Sequence, residues 1–215
     1  MTKEKIIIIN FKTYKQGKQV IRLSKQIEKL KNKNIKIIIG VQPSDILEIV
    51  NAINKKIKVY SQHVDCQKPG RATGYILPEA IKADKATGSF LNHSEHKLPF
   101  KVLKKTVKRC REVGLKTAVF ASTLKEAKKI KKLNPDYIII EPPELVGTKK
   151  SVSKAKPELI KKISKKLKTD FLVGAGIHCN DDFRKALEFG ASGIAISSAI
   201  TKSGNPRKKL KEIIS

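Results

Sequence analysis

Lys5-Ile6-Ile7-Ile8-Ile9-Asn10-Phe11-Lys12 decides the fold. Four isoleucines in a row show none of the polar alternation of a half-solvated strand. Such a run belongs in a parallel sheet buried on both faces by crossover helices. Its buried stretch stops at Asn10, and a cation follows two residues later. Short runs of the same character recur along the chain, predicting strands at 5–10, 35–40, 57–62, 86–92, 116–120, 137–141, 171–174 and 193–196. Between them, segments at 18–31, 99–112, 124–133, 157–167 and 181–189 carry apolar residues at helical spacing.

The punctuation agrees with this division. Ser122, with Lys125-Glu126 behind it, and Asn180-Asp181-Asp182 read as helix N-caps with acidic first turns. Pro99 and Pro157 fall where a first-turn proline is tolerated, and Gly114 and Gly190 stand at helix stops. Strict β-α alternation implies right-handed crossovers. Eight units are the number that closes a (β/α)₈ barrel; an open, doubly wound sheet is the alternative. At 215 residues the chain is shorter than the roughly 250 typical of such barrels, so its loops must be trimmed. No linker composition interrupts it, and residues 1–215 are expected to form one domain.

Composition excludes several classes. Met1-Thr2-Lys3-Glu4-Lys5 leads straight into Ile6–Ile9, too short a run for a signal h-region, and no stretch approaches a membrane span. Cys66, Cys110 and Cys179 are dispersed, which fits neither a disulfide framework nor a zinc site. A cytoplasmic protein without metal is expected. The net charge of +28 raises the question of nucleic acid. Only six of the 47 basic residues are Arg, aromatics are 5%, and Trp is absent. The lysines are spread over every helical segment, as in Lys125-Glu126-Ala127-Lys128-Lys129-Ile130-Lys131-Lys132. Base stacking and bidentate recognition need the opposite balance, so no specific nucleic-acid partner is expected. A basic surface does concentrate small anions.

In a parallel barrel, chemistry sits at the C-terminal ends of the strands. Those ends read Asn10-Phe11-Lys12, Asn92-His93-Ser94-Glu95, Glu141-Pro142-Pro143, Gly174-Ala175-Gly176 and Ser197-Ser198. An amine, an imidazole and a carboxylate from three strands suit proton abstraction beside a carbonyl. Small-residue turns that expose backbone N–H groups suit a phosphate.

On these motifs the chain resembles the triosephosphate isomerases, most closely their short archaeal form. Glu141-Pro142-Pro143-Glu144-Leu145-Val146-Gly147-Thr148 and Val152-Ser153-Lys154-Ala155 complete the match, which runs in family order from Asn10 to Ser198. The resemblance implies interconversion of dihydroxyacetone phosphate and D-glyceraldehyde 3-phosphate through an enediolate, with no cofactor and no metal. Glu141 would be the base. His93, as a neutral imidazole held so by a helix starting at Ser94, would be the electrophile. Lys12 would supply fixed positive charge, and Asn10 would orient it. Gly147, Gly176, Ser197 and Ser198 would bind the phosphate, and Glu95 would position Lys12 from behind. His63, His96 and His178 would be structural or surface residues. A homodimer, through the loop at 65–74, or a homotetramer using Phe100 and Val102, is also implied.

The sequence departs from the family pattern in three places. Lys149-Lys150-Ser151 replaces a small lid hinge, His96-Lys97 stands where arginines are common, and Ser197-Ser198 replaces a glycine-rich pair. The last is tolerable only where both residues keep φ negative.

Overall fold

The computed structural model describes residues 4–30, 34–54, 56–148 and 150–215. Eight parallel strands close into a ring in sequence order: β1 (Lys5–Asn10), β2 (Ile35–Val41), β3 (Lys58–Ser61), β4 (Gly88–Leu91), β5 (Lys116–Ala121), β6 (Tyr137–Ile140), β7 (Leu172–Gly174) and β8 (Gly193–Ile196). Closure comes from β1 against β8, with Ile7 beside Ile194 and Ile9 beside Ile196. The barrel, not the open sheet, is the fold. Each strand end falls within two residues of its expected position.

Helices α1 (Lys18–Glu28), α2 (Ile46–Ala52), α3 (Pro78–Ala83), α4 (Phe100–Glu112), α5 (Leu124–Lys131), α6 (Val152–Ala155), α7 (Pro157–Leu167), α8 (Asn180–Glu188), α9 (Ser198–Thr201) and α10 (Pro206–Ile214) follow the strands. The first helix, expected to run to Lys31, stops at Glu28, with Lys29 as its C-cap; Lys31 itself lies outside the described residues. Two caps differ from expectation. Thr123, not Ser122, caps α5 by accepting the Glu126 N–H, because it is one residue closer to the first turn. Cys179, not Asn180, precedes α8, and Asp182 folds back onto the Cys179 N–H. Pro99 caps α4 from outside rather than occupying its first turn, whereas Pro157 does open α7. No described helix is long and apolar enough to cross a membrane.

Two apolar layers form. Side chains including Ile7, Ile9, Ile39, Val119 and Ile140 pack outward against the helices. Ile8, Ile38, Tyr60, Phe90, Phe120 and Ile139 are among those filling the barrel itself, as expected of a packed core. The large rings fit because facing positions are empty. A Cβ on Gly40 would stand 1.8 Å from the Phe90 ring, and one on Gly88 would stand 2.5 Å from Tyr60. Ring contacts then climb the interior: Tyr60 to Phe90 at 5.9 Å, Phe90 to Phe120 at 5.7 Å, and Phe120 edge-on to His93 at 4.7 Å. The top of this column is the floor of the site.

Candidate active site

Every residue expected to act is at the C-terminal mouth. Asn10, Lys12, His93, Glu141, Gly147, Gly176, Ser197 and Ser198 line one cleft. Glu95 stands outside it, half exposed, with its Oε1 2.5 Å from Lys12 Nζ.

Lys12 has φ 47°, a left-handed conformation uncommon for a residue with a side chain. The Asn10 side chain holds it there by accepting the Lys12 N–H at 3.0 Å, and Gln62 donates to the Lys12 carbonyl at 2.8 Å. The amine is thereby turned into the cleft from the end of a buried strand.

Asn92 makes a similar turn after β4, with φ 61°. Its amide donates to the Phe120 carbonyl at 2.9 Å and to Glu126 at 2.8 Å, while its oxygen accepts the Leu98 N–H at 3.0 Å. Burial pushes the Glu126 carboxyl up, but the Ser122 N–H, Lys97 and Asn92 outweigh it and hold the group below the usual carboxylate range. Lys97 thus braces Glu126 at 2.9 Å, and His96 stacks on His63 at 4.3 Å.

The expected helix start at Ser94 is not there: residues 94–96 make a turn, and α4 begins at Phe100. Pro99 drives its predecessor toward extended backbone, which stops a helix from running through Leu98. His93 is instead oriented by the backbone: its Nδ1 accepts the Glu95 N–H at 3.1 Å, which leaves Nε2 as the nitrogen facing into the site. That Nε2 lies 3.0 Å from Glu141 Oε2, which Ser94 Oγ also approaches at 3.4 Å.

Glu141 follows β6 directly, and Pro142-Pro143 fix the chain's exit. Gly174 makes room for its carboxylate: a Cβ there would stand 2.9 Å from Glu141 Oε1. Ser197 has φ −142° and Ser198 opens α9, so neither occupies left-handed backbone; Ala175 does, at φ 77°. Ser197 Oγ is buried in the cleft wall without a hydrogen-bond partner in the described structure.

Among the lining residues to which the sequence reading gave no role are Tyr14, Phe120 and His178, the last expected to be structural or superficial. His178 Nε2 meets the Thr148 carbonyl at 3.2 Å. Its position one residue after Ile177, in the small-residue turn, was the available clue. Lys149 lies outside the described residues, and no described group of three or more His, Cys, Asp or Glu is placed to hold a metal.

Comparison with known proteins agrees with this geometry. A family model described as triosephosphate isomerase matches residues 5–215. The triosephosphate isomerase of Sulfurisphaera tokodaii is 40% identical over 219 residues, covering 99% of this chain and 95% of that protein. That of Methanocaldococcus jannaschii is 38% identical, covering 97% and 98%. That of Saccharolobus solfataricus is 37% identical, covering 99% and 96%. With a closed eight-stranded barrel and a match along nearly its whole length, the chain belongs to the triosephosphate isomerase family.

Proposed function

We propose that this protein interconverts dihydroxyacetone phosphate and D-glyceraldehyde 3-phosphate with Glu141 as base and neutral His93 as electrophile. The observation that carries the reading is the chain of contacts from the Glu95 N–H to His93 Nδ1 and from His93 Nε2 to Glu141. It presents a proton acceptor and a proton donor side by side at the floor of one cleft.

Glu141 takes the proton from C1 of the ketose, and the released electron pair forms the C1–C2 double bond of an enediolate. The Nε2–H of His93 faces the developing oxyanion, and Lys12 adds fixed positive charge. A neutral imidazole matches the proton affinity of an enediolate better than an imidazolium, so it can pass a proton between the two oxygens. Glu141 then returns its proton to C2. Gly147, Gly176, Ser197 and Ser198 surround the place for the phosphate, and the unpartnered Ser197 hydroxyl suits one of its oxygens. Glu95 and Asn10 hold Lys12 from opposite sides. The basic surface favours capture of this dianion.

The free thiols of Cys66, Cys110 and Cys179 suit the cytoplasm. A homodimer or homotetramer completes the reading. Asp65 closes the base of the segment at 65–74 through two bonds with Ile76, and Tyr75 and Phe100 expose 53% and 44% of their surface.

Purified protein given glyceraldehyde 3-phosphate and a dehydrogenase specific for dihydroxyacetone phosphate is expected to oxidise the nicotinamide cofactor continuously. Clean, folded protein without turnover overturns the reading.

A further inference from the structure

Asp182, the third residue of α8, is 3% exposed. A buried carboxylate is costly unless its oxygens are fully paired, and here both are. Oδ2 accepts the backbone N–H groups of His178 at 3.0 Å and Cys179 at 3.3 Å, in the turn that follows β7. Oδ1 accepts Ser151 Oγ at 2.8 Å and Lys154 Nζ at 3.0 Å, at the far end of the segment that follows Glu141. Burial pushes the carboxyl up, but the His178 N–H, the Ser151 hydroxyl and the Lys154 ammonium outweigh it and hold it at about 2.

Further contacts join the same two segments. The Val152 N–H donates to the Ala175 carbonyl at 3.2 Å, and Ser153 Oγ donates to the Asp182 carbonyl at 3.0 Å. A Cβ on Gly176 would stand 2.0 Å from the Lys150 carbonyl oxygen, so only glycine lets the two backbones meet. Capping α8 requires the first pair of Asp182 bonds alone. The bonds to Ser151 and Lys154 add nothing to that cap; they reach back about 30 residues to the segment whose Val146, Gly147 and Thr148 line the cleft.

Resting on the isomerase reading above, we propose that Asp182 is a positioning residue that clamps the root of the segment covering the cleft to the turn that receives the phosphate, and so keeps the enediolate enclosed. The chemistry makes enclosure measurable. An enediolate phosphate open to water has a second fate. Its electrons shift to form a C2–C3 double bond as the C3–O bond breaks, and the C–O pair leaves with orthophosphate. The remaining enol tautomerises to a three-carbon 2-oxoaldehyde.

The test compares orthophosphate released per isomerisation turnover in the wild type, Asp182→Asn, Ser151→Ala and Ser151→Thr. This ratio does not depend on how much of the enzyme is folded. It is expected to rise about tenfold in Asp182→Asn, the scale of losing one hydrogen bond to a charged group. It should rise less, in the same direction, in Ser151→Ala, which leaves the α8 cap intact while removing the hydroxyl that also caps α6, so a modestly lowered thermal midpoint is expected alongside. Ser151→Thr keeps the hydroxyl and should restore the wild-type ratio. An unchanged ratio in Ser151→Ala assigns Asp182 to capping alone and overturns the proposal. A wild type that turns over no triose phosphate overturns the isomerase reading as well; one that isomerises while no variant leaks overturns this inference only.

Discussion

His93 Nε2 lies 3.0 Å from Glu141 Oε2, with both side chains 9% exposed. The imidazole reaches this position from β4 and the carboxylate from β6, 48 residues apart in the chain. Nδ1 accepts the Glu95 N–H at 3.1 Å, so Nε2 is the ring atom that faces the carboxylate.

Shortening or blunting either member removes this pairing without opening the core. Glu141→Asp withdraws the carboxylate, and His93→Asn removes the ring that donates. Each is expected to lower kcat by about 100-fold or more, the range for positioned acid–base groups. Steady-state rates in both directions check this, and near-wild-type kcat in either variant removes that residue from the chemistry.

Gly174→Ala tests the space behind the base. Its φ is not left-handed, so alanine suits the backbone, yet the new Cβ would stand 2.9 Å from Glu141 Oε1 and 3.4 Å from its Cβ and Cγ. The displacement should lower kcat about 10- to 100-fold, as small misplacements of reacting groups do. Thermal unfolding should change little. A fully active Gly174→Ala enzyme means that the carboxylate has room to yield.

The His63 imidazole is pushed below its ordinary value of 6.5 mainly by burial, with His96 stacked on it adding to the effect and the Asp65 contact opposing it. A base whose folded value is lowered binds its proton more readily when unfolded. Stability from this group is therefore fully present above about pH 6.5 and declines as the pH falls from there toward the lowered value. Urea midpoints across pH 5–8 should follow that slope, and His63→Gln should flatten it. A slope of equal size in the variant assigns it to other groups.

Cys110 is wholly buried on α4, and burial pushes its thiol up to about 12, while Cys66 and Cys179 are partly exposed. A thiol reagent added to the native protein should label two cysteines quickly and the third only as the fold opens. Rapid labelling of all three contradicts the packing of α4 against the barrel.

The isoleucine runs mark their strands so closely because a strand buried on both faces favours unbroken β-branched residues without polar alternation. The helix boundaries are less legible. Thr123 displaces Ser122 as a cap because neighbouring hydroxyls compete and the register of α5 chooses between them. The helix expected at Ser94 fails because Pro99, five residues on, dictates the local backbone.

Order along the chain alone determines eight β-α units, their buried faces, and the polar groups that end each strand. Those are consequences of local periodicity and of the solvent each side chain can tolerate. Which groups touch is decided by closure of the ring. Closure sets His93 over Phe120 and against Glu141, and places His178 in the cleft wall with its imidazole on the Thr148 carbonyl. It also joins Asp182 to Ser151 and Lys154. Such pairings depend on register and strand tilt, which are fixed only when all eight strands pack at once.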